Sequence, residues 1–130
     1  MRFISLTAMI GMVMGLATLA SADPALGTWQ TAPDKKGQIA HVEVTRCDQA
    51  LCGEIVRAYN SQGQRITTKN VGKRVFWGMT PTGKGNYQGR AWVPAHDREY
   101  AAKMALDDDR LEVSGCLGPI CQGQLWARVK

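Results

Sequence analysis

From residue 27 to the C-terminus, apolar residues recur at every second position in short runs, and Gly, Asn, Asp and Pro break the runs. Ala40, Val42 and Val44 alternate with His41, Glu43 and Thr45. Tyr100, Ala102, Met104 and Leu106 alternate with Glu99, Ala101, Lys103 and Ala105. A period of two puts one set on a buried sheet face and the other in water. No long segment carries apolar residues at helical spacing, so the runs predict strands over residues 27–31, 38–46, 51–59, 73–80, 86–93, 99–106, 110–116 and 124–129. Pro81-Thr82-Gly83-Lys84-Gly85 and Asp107-Asp108-Asp109 are short enough for hairpin links, which makes sequence neighbours antiparallel neighbours in space. A flat sheet of that many strands would leave pairing edges open, and closure removes them. The expected fold is therefore all-β, a small antiparallel up-and-down barrel of about eight strands, with a β-sandwich as the alternative. Residues 60–71 form the one long polar link, a surface loop or lid, for which a plain solvated loop is expected over a ligand contact by Arg65, Lys69 and Asn70.

The N-terminus follows a different pattern. Arg2 is followed by a nearly uncharged apolar run over residues 3–19 and then by Ala20-Ser21-Ala22. These are the charged, apolar and small-residue parts of a secretory signal, and the run is short for a bilayer span. Residues 1–22 are expected to be a cleavable signal peptide, and residues 23–130 a single β-barrel domain that is periplasmic or secreted. No membrane span is expected after cleavage. Removing Arg2 from the sixteen basic residues leaves fifteen against eleven acidic ones, a net charge of +4 on the exported chain. The basic residues are scattered and never run longer than two, so a solvated mixed surface is expected, with no nucleic-acid partner and a monomeric state.

Export also decides how the four cysteines are read. An oxidising compartment favours two disulfides. Cys47 and Cys52 flank Asp48-Gln49-Ala50, and Cys116 and Cys121 flank Leu117-Gly118-Pro119-Ile120, so each pair is expected to bridge one hairpin tip. A ring this short contributes roughly 2 kcal/mol on the loop-entropy estimate. A four-thiolate zinc site is the alternative, but both spacings lie at the long edge of the zinc pattern.

Three stretches have the outline of chemistry without its context. Gly78 to Gly85, GMTPTGKG, is a phosphate-binding loop lacking its final hydroxyl residue and followed by a strand instead of a helix, so a hairpin turn is expected. His96-Asp97-Arg98-Glu99 sets an imidazole beside carboxylates, but neighbours on an extended chain point apart. Asp107 to Asp109 lacks the spaced ligands of a calcium loop. No catalytic residue, cofactor or metal is expected. The aromatics carry more interest. Trp29, Trp77, Trp92 and Trp126 fall on four predicted strands, with Tyr87 and Tyr100 nearby, and they either fill a small barrel or line a cavity. Trp77, Trp92 and Tyr100 are the candidate ligand or core aromatics.

Gly27-Thr28-Trp29 at the first strand and Trp126-Ala127-Arg128 at the last are similar to the ends of lipocalin-type barrels, in which a Gly-x-Trp packs beside an arginine of the closing strand. That resemblance implies a barrel-closing cation–π pair, Trp29 with Arg128. Leu51-Cys52-Gly53-x-Ile55-Val56, Tyr100 with Lys103-x-x-Leu106, the stretch from Leu111 to Cys121, and Gln124-x-Trp126-x-Arg128 together resemble the exported bacterial family called domain of unknown function 2147. The resemblance implies a lipocalin-like barrel and brings no catalytic residues with it. Members often carry a Tyr-Asp-Pro-x-x-Gly-Lys-x-Tyr stretch where this chain has Trp92 to Tyr100. The expected function is a non-enzymatic exported binding module for a small apolar or amphipathic ligand. The alternative is a cell-envelope interaction or inhibitor protein that works through its outer surface.

Overall fold

The computed structural model describes residues 10–12, 15 and 22–130, so the expected signal segment falls mostly outside the described residues. Every regular element among the described residues is a strand: β1 (Gly27–Gln30), β2 (Ile39–Cys47), β3 (Ala50–Tyr59), β4 (Arg65–Ile66), β5 (Arg74–Gly83), β6 (Asn86–Val93), β7 (Arg98–Asp107), β8 (Arg110–Leu117) and β9 (Ile120–Arg128). The sheet runs β2-β1-β9-β8-β7-β6-β5-β3 and β2 pairs back onto β3, so eight antiparallel strands close on themselves. The short β4 lies at the margin of β3. One continuous closed sheet rules out the sandwich alternative, and the all-β up-and-down barrel holds. No helix among the described residues is long and apolar enough to cross a membrane.

The period-two pattern sets which side chains enter. Val42 and Val44 on β2, Tyr87 and Ala91 on β6, and Ala102 and Met104 on β7 are all buried, while Glu43, Gln88 and Lys103 between them are exposed. Two expected boundaries move. β5 runs through Pro81 to Gly83, leaving only Lys84 and Gly85 in the turn, both at positive φ (55° and 78°), as a tight hairpin turn requires. Pro81 is tolerated there because β3 accompanies β5 only as far as Met79, so beyond that point β5 has a partner strand on one side only. β9 starts at Ile120, four residues before expected, because Gly118 at φ 60° makes a two-residue turn with Pro119.

The interior is filled by Trp29, Phe76, Leu51, Met79, Met104 and Leu111, all essentially inaccessible, with Trp126 and Tyr87 beside them. Each such side chain contributes roughly 1.5–3 kcal/mol on leaving water. Phe76 holds the centre. Its ring lies 6.1 Å from that of Trp126 and over Gly53, where a built Cβ would come within 2.5 Å of the ring. Trp77 stands on the other face of β5 and leaves the interior to Phe76, whereas Trp92, half-buried beside the buried Ala91, packs against the margin of the core. The run Val75-Phe76-Trp77 is apolar at three consecutive positions, so its phase is not legible from alternation. The register shift between Trp77 and Thr80, with Gly78 at φ 63°, then resets it and turns Met79 inward.

One end of the barrel is plugged by the segment before β1. Ala25 is fully buried, its carbonyl accepts from Trp29 Nε1 at 2.9 Å, and its N–H donates to Asp23 Oδ1 at 2.8 Å. Tyr87 donates its hydroxyl to the same carboxylate oxygen at 2.7 Å. Burial first, and then the Asp23 carboxylate, push the Tyr87 phenol far above its ordinary range, so it stays a donor. Arg128 fastens the plug. Its guanidinium lies 4.4 Å from the Trp29 ring centroid and donates to Leu26 O (3.1 Å), Pro24 O (2.7 Å) and Asp109 Oδ1 (3.1 Å). The Lys130 ammonium, together with Arg128, holds the Asp109 carboxyl below its ordinary range. The aspartate turn is thus an ionic latch for the C-terminus.

Three outcomes follow. Gly53→Ala forces a methyl into the Phe76 ring and is expected to lower unfolding free energy by about 1–3 kcal/mol in urea melts. Arg128→Lys keeps the charge but loses the fork that reaches two carbonyls and Asp109 at once, at an expected cost of about 2 kcal/mol, read as a lower Tm. The third concerns pH. His41 packs its ring at a tilt against Tyr59, with centroids 4.8 Å apart, and faces Arg57 across the β2–β3 ladder, and its buried Nδ1 has no hydrogen-bond partner among the described residues. Burial, and then the Arg57 charge, hold it below the usual 6.5. The unfolded chain therefore binds this proton first as pH falls, so stability is full above about pH 6.5 and drains away below it. Thermal melts should show that loss, and His41→Gln should flatten the part of it lying above the carboxylate range.

Candidate functional site

Strand direction puts the turns at residues 48–49, 84–85 and 108–109 at the plugged end and the connections 31–38, 60–73, 94–97 and 118–119 at the other. This second end is open. Gln122 and Gln124 share the inward face of β9 with the buried Trp126, yet both are exposed. Gln124 Oε1 accepts from Trp126 Nε1 at 2.7 Å and from the Ala32 N–H at 3.2 Å, tying the β1–β2 connection to the top of the filled core.

Tyr100 lies opposite Ala91 on the inward face of β7 and packs against Gly115, where a built Cβ would sit 3.6 Å from the tyrosine Cβ. Glycine at 115 leaves that space to the ring. Two residues along the same face of β8 stands Leu117, directly opposite Ile120 on β9. These two are 63% and 71% exposed, the most exposed large apolar residues of the barrel. They crown a tip in which Cys116 and Cys121 are register partners joined by a disulfide. Cys47 and Cys52 are joined at the plugged end, on the β2–β3 hairpin. Because the pairs lie at opposite ends, the four sulfurs do not converge as a zinc site needs. No group of three or more candidate metal ligands occurs among the described residues.

Polar groups ring the mouth. His96 Nδ1 and the Tyr100 hydroxyl share a 2.9 Å hydrogen bond, and the Arg98 guanidinium lies 5.7 Å from the tyrosine ring centroid. Trp92 donates from Nε1 to Asp97 at 3.0 Å and carries the Lys73 ammonium 5.2 Å over its ring. Glu99 pairs with Arg90 at 3.8 Å. The imidazole and the carboxylates of His96-Asp97-Arg98-Glu99 therefore have separate partners. The 60–71 link, expected as a loop or lid, is a small hairpin: Asn60 Oδ1 accepts from the Gln62 and Gln64 N–H groups, and β4 folds back on β3. Gly72 donates to Ile55 O at 2.7 Å and pins its return. Arg65 and Lys69 stand exposed on it, while the Asn70 side-chain oxygen is buried.

Charge divides the two ends. Outside the eight barrel strands the open end carries Lys35, Lys36, Arg65, Lys69 and Lys73 against Asp34 and Asp97, a net +3. The plugged end carries Lys84 and Lys130 against Asp23, Asp48, Asp108 and Asp109, a net −2. A separate concavity of about 480 Å³ lies on the outer wall of β6–β8, among Gln88, Lys103, Glu112 and Ser114.

A closed eight-strand barrel plugged at one end under a Trp–Arg pair, and open at the other, is a lipocalin-like barrel. Protein HP1028 of Helicobacter pylori, described as belonging to the lipocalin family, superposes with a TM-score of 0.63 at 16% identity, over 81% of this chain and 82% of that one. At that identity the likeness concerns the fold. The chain belongs to the domain of unknown function 2147 family, described as an uncharacterized protein conserved in bacteria, which matches residues 27–128. No curated protein matches it.

Proposed function

We propose that the protein is a non-enzymatic, exported binding module that holds a small apolar or amphipathic ligand at the mouth of its barrel. The observation that carries the reading is the apolar surface of Tyr100, Leu117 and Ile120, open to water above a core already filled by Phe76 and Trp126. Filling the interior moves the site from a deep calyx to the rim. An apolar tail laid across that surface removes it from water, and Arg98 and the surrounding lysines suit an anionic head. The pairing of His96 with Tyr100 in place of a carboxylate supports a binding role over acid–base catalysis. Two disulfide-bonded cysteine pairs support export.

A second reading, an envelope interaction protein using its outer wall, is favoured by the concavity on β6–β8. One experiment separates them. Protein recovered after export is inspected by native mass spectrometry and titrated with a fluorescent fatty acid. Saturable binding that weakens by about tenfold or more in both Tyr100→Ala and Leu117→Ser supports the mouth. No binding, or binding unchanged in both variants, sinks it.

A further inference from the structure

Leu117, Gly118, Pro119 and Ile120 form a continuous exposed apolar tip that projects beyond the last cross-strand pair joined by a disulfide. Tyr100 covers only the inner base of this tip, and Leu117 and Ile120 remain mostly in water. Val71 on the opposite side of the rim is also partly exposed. Between these apolar points lie the lysines of the open end, whose connections carry a net +3, while the −2 of the plugged-end connections is offset by Arg46, Arg110 and Arg128 at the adjoining strand ends. The open end is therefore the more positive of the two, and it carries the apolar tip.

We propose that this rim docks on an anionic lipid bilayer, with Leu117 and Ile120 inserted at the headgroup–acyl boundary and Lys35, Lys36 and Lys69 against the lipid phosphates. Charge complementarity identifies the occupant. A negative surface attracts the positive end more strongly than the other, which orients the barrel upright before the tip makes contact. Apolar side chains flanked by lysines are the composition that holds a protein in a bilayer interface without spanning it. The disulfide keeps the two-residue turn closed, so the tip enters as a preformed wedge and loses little conformational freedom on insertion. The inference rests on reading the mouth as the ligand site, because a rim seated on lipid opens that site towards amphipathic molecules.

The test is flotation of protein recovered after export with vesicles of phosphatidylcholine alone or mixed with phosphatidylglycerol. Expected is recovery with the mixed vesicles only. It should fall by about tenfold or more in Leu117→Ser/Ile120→Ser and in the charge reversal Lys35→Glu/Lys36→Glu/Lys69→Glu, and fall with salt as screening shortens to a few ångströms. All five side chains are exposed, and an unchanged circular dichroism melt checks that the variants fold. Flotation on neutral vesicles to the same extent overturns the proposal, as does flotation indifferent to both sets of substitutions. Failure to float by protein that still binds the fluorescent fatty acid overturns the docking and leaves the binding reading standing.

Discussion

The Arg128 guanidinium is the point on which closure of the barrel depends. A closed sheet needs its first and last strands to pair, yet β1 and β9 share only the partners Trp29↔Arg128 and Gln30↔Ala127. The seam is short because β1 is short. Arg128 supplements it from the side-chain level, covering the Trp29 indole and accepting no role in the ladder beyond its own backbone. By reaching two carbonyls before β1 and a carboxylate in the β7–β8 turn, it holds three chain segments far apart in sequence to one another. Ala25 is sealed under Trp29 only while those carbonyls are held. A lysine offers a point charge to the same set and cannot satisfy it from one plane.

Most of the architecture was legible because it follows from local rules: alternation for the strands, short polar links for antiparallel order, paired cysteines about hairpin tips. The Trp29–Arg128 contact was legible only through family resemblance, since nothing in spacing joins residues at opposite ends of a chain. Legibility failed where apolar residues stood side by side. Val75-Phe76-Trp77 reads equally well in either phase, and size favoured the tryptophan as the interior residue. The packing reverses that choice, because Gly53 leaves a space that Phe76 fills. The one signal available was the glycine itself, an inward strand position without a side chain that requires a large neighbour.

The same packing decides where a ligand can go. An eight-strand barrel has room for its own side chains or for one small ligand. With Trp29, Phe76, Trp126, Tyr87 and two methionines inside, this one has spent its interior on itself. What remains accessible is the end at which strands outrun the core. Gly115 and Tyr100 mark the boundary: Gln122 stands level with Gly115, Leu117 and Ile120 stand above it in water, and below it only Gln124, opposite Val113, still meets water on the inward face of β9. The candidate site lay in the sequence as an exposed apolar quartet between two cysteines. It carried no signal as a site until the register showed which way the quartet faced.

The two disulfides perform different work despite equal spacing. Cys47–Cys52 closes a hairpin beside the plug, where the barrel is already held by Arg128, and Cys52 is buried against the core. Cys116–Cys121 closes a hairpin at the open end, where Cys116 is buried and still paired to Ala101 of β7 and only the four exposed residues beyond the cysteines extend past that pairing. A two-stranded ribbon has little independent stability in water. Without a cross-link the apolar tip would fray, and frayed Leu117 and Ile120 would offer an unpaired strand edge to other chains. The bond therefore makes an otherwise hazardous surface tolerable. A surface maintained at that structural cost, at the more positive end of the barrel and directly above Tyr100, is the part of the molecule whose chemistry is least explained by folding and best explained by contact with something outside it.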